Sequence, residues 1–201
     1  MDRATVDGHA YRSDEMASGG WYQSKPTGAE GKVFIGTPSR FVFALDHETG
    51  EEIWRFELGA AVSGAPAYAN GTKLWEYPIE DGCMNASPAL SGNRIYISMS
   101  ARQAAIPVAS RIRCLDADDG TEIWEHPGGG ITGPAVAGGK VYFASTSNPF
   151  FCCVDAEGNG DGTTDCLWRC EMSERVYESV PAIYAGRAFI LNEDGYLYAF
   201  E

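Results

Sequence analysis

Short runs of apolar residues recur along the chain, each bounded by polar turn residues. Val33-Phe34-Ile35, Ile95-Tyr96-Ile97 and Val141-Tyr142-Phe143 are β-branched or aromatic throughout, a composition that favours strands. Apolar side chains fall on both parities of Val33 to Ile35 and of Val141 to Ala144, so both faces of each sheet are expected to be covered. A proline stands six residues ahead of the residue that opens each run: Pro26 and Lys32, Pro66 and Thr72, Pro88 and Arg94, Pro134 and Lys140, Pro181 and Arg187. Gly31, Gly71, Gly92, Gly139 and Gly186 lie between, where a tight turn needs φ freedom. Each copy predicts strand, tight turn, strand.

A second half-motif follows in the same order. It appears as VFALDHETGEEIWRF from Val42, as IRCLDADDGTEIWEH from Ile112, and as FCCVD leading to CLWRC between Phe151 and Cys170. The pattern is a strand ending in Asp, a short turn closed by Gly50 or Gly120, and a strand carrying Trp54, Trp124 or Trp168. An Asp carboxylate there accepts hydrogen bonds from turn amides. One unit is therefore four antiparallel strands, a to d, with the period of 46 and 47 residues that separates Pro88, Pro134 and Pro181. All-strand repeats of this length predict a β-propeller.

The succession of a small residue and proline, GGKVYF, LYA[LF], Asp, Thr-Gly and Trp resembles the pyrroloquinoline-quinone-like (PQQ-like) propeller repeat, over about residues 21 to 201. The resemblance implies an all-β fold, a partial β-propeller of four-stranded antiparallel blades, with about four blades of which one is truncated. It also implies an extracytoplasmic setting, periplasm or cell surface. It says less about activity, because the family includes both quinoprotein dehydrogenases and outer-membrane assembly scaffolds.

The repeats divide the chain into a loose tail at 1–20 and blades at 24–57, 64–78, 86–126, 132–171 and 179–201. The second blade is truncated. Pro66 and Pro88 are only 22 residues apart, so strand a runs directly into strand d and Trp75 takes the place of Trp54. The last blade has strands a, b and c only. Blade three carries a long b-to-c connection, Ser100 to Arg111, with the apolar tip AAIPVA.

Composition narrows the classes of function. The net charge of -13 argues against nucleic acid, which needs clustered Lys and Arg. Met1 to Gly20 is polar and carries neither a signal peptide nor a membrane-spanning run, so membrane insertion is not expected.

Candidate chemistry concentrates in blade four. Its c-to-d turn, Asp155 to Asp165, sets Asp155, Glu157, Asn159 and Asp161 at alternate positions with Gly160 at the sixth, the spacing that opens a calcium loop. Asp165 is the nearest carboxylate to the twelfth position, which is Cys166. Calcium is thus a candidate cofactor at Asp155, Glu157, Asn159, Asp161 and Asp165, and the competing account is a soluble hairpin turn. Of the six cysteines, Cys152, Cys153, Cys166 and Cys170 lie in this blade. Cys153 and Cys114 fill the small buried slot that Ala44 and Ala199 fill elsewhere. Adjacent Cys152 and Cys153 are similar to the vicinal pair beside the cofactor of quinoprotein alcohol dehydrogenases, but their place inside strand c argues against PQQ. Cys166 and Cys170, about 13 Å apart along a strand, do not make a metal pair; a hairpin disulfide between strands c and d stays open.

His9, His47 and His126 each fit a structural place, in the tail, in a turn and in the slot of Phe56, and no nucleophile accompanies them. The recurring tryptophans fit packing between blades. The expected function is a non-enzymatic binding or scaffold module of a larger extracytoplasmic protein, with a protein partner or self-association through uncovered blade faces. The alternative is a fragment of a PQQ-dependent dehydrogenase.

Overall fold

The computed structural model describes residues 5–6, 9–10, 26–37, 41–57, 74–78, 82–83, 86–101, 110–130, 132–145, 148–176 and 179–201. Every regular element among them is a strand and every pairing is antiparallel. Most of the tail, residues 64–73 of the truncated blade, and the AAIPVA tip lie outside the described residues. The protein is an all-β partial β-propeller, divided into a unit at Met1–Lys73 and a unit at Leu74–Glu201.

The first unit holds a small pair, β1 (Thr5–Val6) with β2 (His9–Ala10), within the stretch read as a tail. Its blade one is a four-stranded sheet of β3 (Thr27–Ala29), β4 (Lys32–Gly36), β5 (Phe41–Asp46) and β6 (Glu52–Glu57), paired in chain order.

The second unit begins with β7 (Gly82–Cys83), β8 (Ala89–Ser91), β9 (Arg94–Ala101), β10 (Arg111–Asp116) and β11 (Glu122–Pro127), which form blade three. Blade four is β12 (Ala135–Ala137), β13 (Lys140–Ser145), β14 (Phe150–Asp155) and β15 (Cys166–Glu171). Blade five is β16 (Ala182–Tyr184), β17 (Arg187–Leu191) and β18 (Leu197–Phe200). The first strands β8, β12 and β16 are successive neighbours, as radial blades require.

Each blade repeats one cross-strand row. Phe34, Ala44 and Trp54 stand opposite one another on β4, β5 and β6; Tyr96, Cys114 and Trp124 do so on β9, β10 and β11; Tyr142, Cys153 and Trp168 on β13, β14 and β15. The small residue in the middle leaves room for the indole to lie against the aromatic two strands away, with ring centroids 5.8, 5.9 and 6.2 Å apart. Just beyond the small residue the register shifts in all three blades, between Ala44 and Leu45, Cys114 and Leu115, and Cys153 and Val154. Such a bulge re-aims the outer strand.

The turns follow the sequence signals. The two-residue loops Glu30-Gly31, Gly138-Gly139 and Ala185-Gly186 have positive φ at both positions, the hairpin geometry that matches strand twist. At the c-to-d turns, Asp46 Oδ1 accepts from the Glu48 and Thr49 amides, Asp116 Oδ1 from the Asp118 amide, and Asp155 Oδ1 from the Glu157 and Gly158 amides.

Blade faces meet in three successive layers within the second unit. Tyr96, Ile112 and Trp124 pack with Val141, Phe143, Phe150 and Cys152 between blades three and four. Tyr142, Phe151 and Cys153 pack with Ala188 and Ile190 between blades four and five. Ile97, Met99 and Leu115 of blade three are covered by Trp75 and Tyr77. Each fully buried large side chain contributes about 1.5–3 kcal/mol.

Two local features depart from the sequence reading. Leu74–Pro78 forms no strand ladder, yet Trp75 does what a d-strand tryptophan does: its indole N–H donates to the Ala117 carbonyl at 2.9 Å. Trp124 donates to the equivalent Ala156 carbonyl of blade four at 3.0 Å. A strand also falls between the blades read at 64–78 and 86–126, where Gly82 and Cys83 pair with Ala101 and Ser100. The reason is the eight-residue length of β9: β8 pairs only with its first part, and the backbone groups beyond need a second partner.

His126 occupies a core slot on β11, edge-on to Phe143 at 5.8 Å, and its Nδ1 is buried without a hydrogen-bond partner among the described residues. Burial lowers its pKa below the ordinary 6.5. Below about pH 6.5 the unfolded chain therefore binds the proton more readily than the folded one, so stability is lost as pH falls through that window. His126→Phe, which installs the residue of blade one at this slot, is expected to flatten the drop in melting temperature between about pH 7 and about pH 5. Thermal melts of both proteins across pH provide the check; equal slopes would show that this imidazole does not titrate on unfolding.

Candidate functional site

The enlarged turn of blade four is built by its own hydrogen bonds. The Asp155 amide donates to the Asp165 carbonyl at 3.0 Å, the Asn159 amide to the Thr163 carbonyl at 2.9 Å, and the Thr164 hydroxyl to the Asp155 carbonyl at 2.6 Å. The turn also reaches blade three: the Gly162 carbonyl accepts the Glu125 amide of the outer strand β11 at 3.1 Å. Gly158 has φ +77° and lies so close to Trp124 that an added Cβ would sit 2.3 Å from Cδ1 of the indole. Only glycine lets this turn close over the tryptophan.

The five residues of the calcium expectation are spread over this turn and largely occupied. Asp155 Oδ1 accepts from two turn amides. Glu157 is drawn to Arg94 of blade three, 2.7 Å away. Asn159 donates to Asp165 Oδ1 at 3.1 Å and to the Thr163 hydroxyl at 3.2 Å. Asp161 Oδ1 accepts the Thr163 hydroxyl at 2.6 Å and its amide at 3.0 Å, which together hold its carboxyl below the usual carboxylate range. The structure thus brings Asn159 and Asp165 together and sends Glu157 elsewhere. No group of three or more His, Cys, Asp or Glu side chains among the described residues is arranged to hold a metal ion.

Beside this turn lies a cleft of about 270 Å³ between blades three and four, lined by Asn93, Arg94, Tyr96, Asp116 and Glu157 among others. Its polar groups have partners. The Asn93 amide donates to Asp116 and Asp118, and Arg94 holds Glu157. Burial pushes the Tyr96 phenol up to about 12, so it remains a donor, here to the Ala156 carbonyl at 3.3 Å. The Asn93, Arg94 and Tyr96 groups of the cleft are thus each engaged with a neighbour.

Three of the thiols are closed off from solvent. Cys114, Cys152 and Cys153 are buried, and burial pushes Cys153 up to about 11. Neighbouring residues of a strand point to opposite faces. Accordingly Cys152 packs toward blade three and Cys153 toward blade five. His47 Nδ1 is 3.0 Å from the Gly31 carbonyl in blade one, and the His9 side chain lies outside the described residues.

The feature that sequence patterning left indistinct is the outward face of blade five. Leu191 and Leu197 are 53% and 65% exposed, whereas Ala144 and Phe151, at the equivalent slots of blade four, are fully buried beneath blade five. Tyr184, on the same face, is 77% exposed. Alternation alone marks these residues as apolar and core-like. Only the structure shows that nothing among the described residues covers them.

The profile for the glucose/ethanol/alcohol dehydrogenase β-propeller domain matches residues 5–132. The chain belongs to the PQQ-like β-propeller family. The profile of the outer membrane protein assembly factor BamB matches residues 108–201 of this PQQ-like protein. Among solved structures it is similar to BamB from Moraxella catarrhalis, with 13% identity and a TM-score of 0.67 over 89% of this chain and 58% of that one. A europium-containing methanol dehydrogenase matches at 13% identity and a TM-score of 0.45, over 88% of this chain and 39% of that one. The quinohemoprotein alcohol dehydrogenase from Comamonas testosteroni matches at 22% identity and a TM-score of 0.37, over 78% and 21%. The likeness to BamB is one of fold, and the chain spans 58% of that BamB's length. No curated protein matches the sequence.

The family name raises the question of a bound quinone. A planar cofactor needs an open aromatic face and polar groups around it. Trp124 is fully buried, Trp75 is closed against Gly120, and Trp168 is stacked on Phe200 at 5.7 Å. The adjacent cysteines point apart. Trp124, Trp75 and Trp168 thus present no open indole face to a quinone, and no reaction step is assigned to one.

If the turn carboxylates act as caps, Asp155→Ala removes the acceptor of two amides and is expected to lower stability by about 1–2 kcal/mol. The loss should be equal with and without millimolar calcium. Thermal melts measure both terms, and a calcium-dependent rise in the wild type that disappears in Asp155→Ala and Asp161→Ala would instead place a cation in this turn.

Proposed function

We propose that this chain is a non-enzymatic propeller scaffold, part of a larger extracytoplasmic protein, that binds a protein partner through the outward sheet face of blade five. The observation that carries this reading is the exposure of Leu191 and Leu197 where their blade-four equivalents are buried, with Tyr184 exposed on the same face. Exposed apolar surface of this kind marks interaction sites. The complementary surface is another β-sheet face of the sort blade five itself presents to blade four, with Ile183, Ile190, Tyr198 and Phe200. The match to the profile of an outer membrane protein assembly factor supports both a protein partner and a setting outside the cytoplasm. The cleft, with its Asn93, Arg94 and Tyr96 groups engaged by neighbours, favours a scaffold over a catalyst.

In the absence of its partner, the chain is expected to cover this face with a second copy at micromolar concentration. Sedimentation across concentration should show reversible association, and Leu191→Glu combined with Leu197→Glu should shift the protein to monomer without lowering its melting temperature. A compact wild-type monomer at every concentration would remove blade five as the interface. Titration with PQQ and calcium is expected to give no saturable change in quinone absorbance; tight stoichiometric uptake would favour a dehydrogenase instead.

A further inference from the structure

The enlarged turn of blade four joins two strands that each carry a cysteine, and the structure sets these two thiols against each other. Cys152 lies within β14, Cys166 opens β15, and their Sγ atoms are 3.4 Å apart. The register explains the approach. The two strands slip between Cys153 and Val154, so Cys166 stands opposite Val154. Strand alternation puts Cys152 and Val154 on one face, and Cys166 shares it. Cys153 points to the other face, among Tyr142, Phe151 and Trp168. Cys170 stands opposite Phe151, on that same other face.

We propose that Cys152 and Cys166 form an intrachain disulfide that staples the β14–β15 hairpin under oxidising conditions. Closing the gap to the roughly 2 Å of an S–S bond requires side-chain rotation and a small shift at the start of β15. Cys166 is exposed there and next to the bulge, so the shift displaces little packing. The ring so formed encloses the whole enlarged turn, whose conformational freedom in the unfolded chain it would restrict.

The oxidant is a disulfide, either of a low-molecular-weight thiol or of a thiol–disulfide oxidoreductase. Exposed Cys166, as thiolate, attacks one sulfur of that disulfide, releases one thiolate and carries the mixed disulfide. The Cys152 thiol then gives its proton to the released thiolate while its sulfur attacks Cys166 Sγ and expels the second, which takes up from solvent the proton that Cys166 lost. Two protein thiols are oxidised and one disulfide is reduced to two thiols. Burial pushes the Cys152 thiol well above its ordinary value, which makes Cys166 the group that meets the oxidant and Cys152 the resolving partner.

The test uses the full chain, reduced and then equilibrated in a buffer of oxidised and reduced glutathione. Alkylation and mass spectrometry are expected to show loss of two of the six thiols. Cleavage within the turn should leave the fragments holding Cys152 and Cys166 joined until reductant is added. Cys153→Ala, which places the alanine of Ala44 and Ala199 in that slot, should still form the bridge, whereas Cys166→Ser, at an exposed position, should not. Oxidation should raise the melting temperature of the wild type by about 5 °C or more and leave that of Cys166→Ser unchanged. Six free thiols after oxidation, a bridge through Cys153 or Cys170, or an oxidised form that melts no higher than the reduced one would each overturn the proposal.

Discussion

A tryptophan on the outer strand can lie flat across its blade only if the strand beside it carries something small. That constraint fixes Ala44 opposite Trp54, Cys114 opposite Trp124 and Cys153 opposite Trp168. The row continues inward to an aromatic on the second strand and a small residue on the first, as in Ala89, Tyr96, Cys114 and Trp124. Large and small residues alternate across the sheet, so the indole fills the space over its small neighbour. The recurring bulge, the buried cysteines and the packing between successive blades of the second unit all follow from seating that ring.

The second tie is polar and rests on the residue after the strand-c aspartate. In blade four, the Ala156 amide donates to the Gly139 carbonyl of its own blade, while its carbonyl accepts from Trp124 and Tyr96 of the blade before. Ala117 repeats this in blade three, with Asn93 as acceptor and Trp75 as donor. Trp75 keeps this bond although the residues around it form no ladder. The indole anchor thus survives the loss of the strand pairing that normally presents it.

Much of this was legible in the sequence because the repeat carries its own punctuation. Proline, turn glycine, Asp and Trp give the blades and their order. The cysteine in the alanine slot identified Cys114 and Cys153 as buried. What the sequence could not supply was anything decided by register or by neighbours. The slip after Cys153 brings Cys166 beside Cys152, and nothing in a run of letters marks it. Glu157 read as a ligand by spacing, but its nearest cation, Arg94, is sixty-three residues away in the chain. The pairing of Gly82 and Cys83 depends on how far β9 runs past β8, a length that apolar pattern does not limit.

The forward direction of the indole bond has a consequence for how local disorder would spread. Trp75 and Trp124 each precede the blade whose carbonyl holds them, and the Gly162 carbonyl of blade four likewise holds the Glu125 amide of blade three. A disturbance in the turn of blade four therefore frees the Trp124 indole and the Glu125 amide on the outer strand of blade three, while one in the equivalent turn of blade three frees the Trp75 indole. Fraying travels toward the N-terminal end of this unit, one blade at a time. In hydrogen-exchange terms, the protection of the Glu125 amide on β11 is set by the integrity of a loop more than thirty residues downstream.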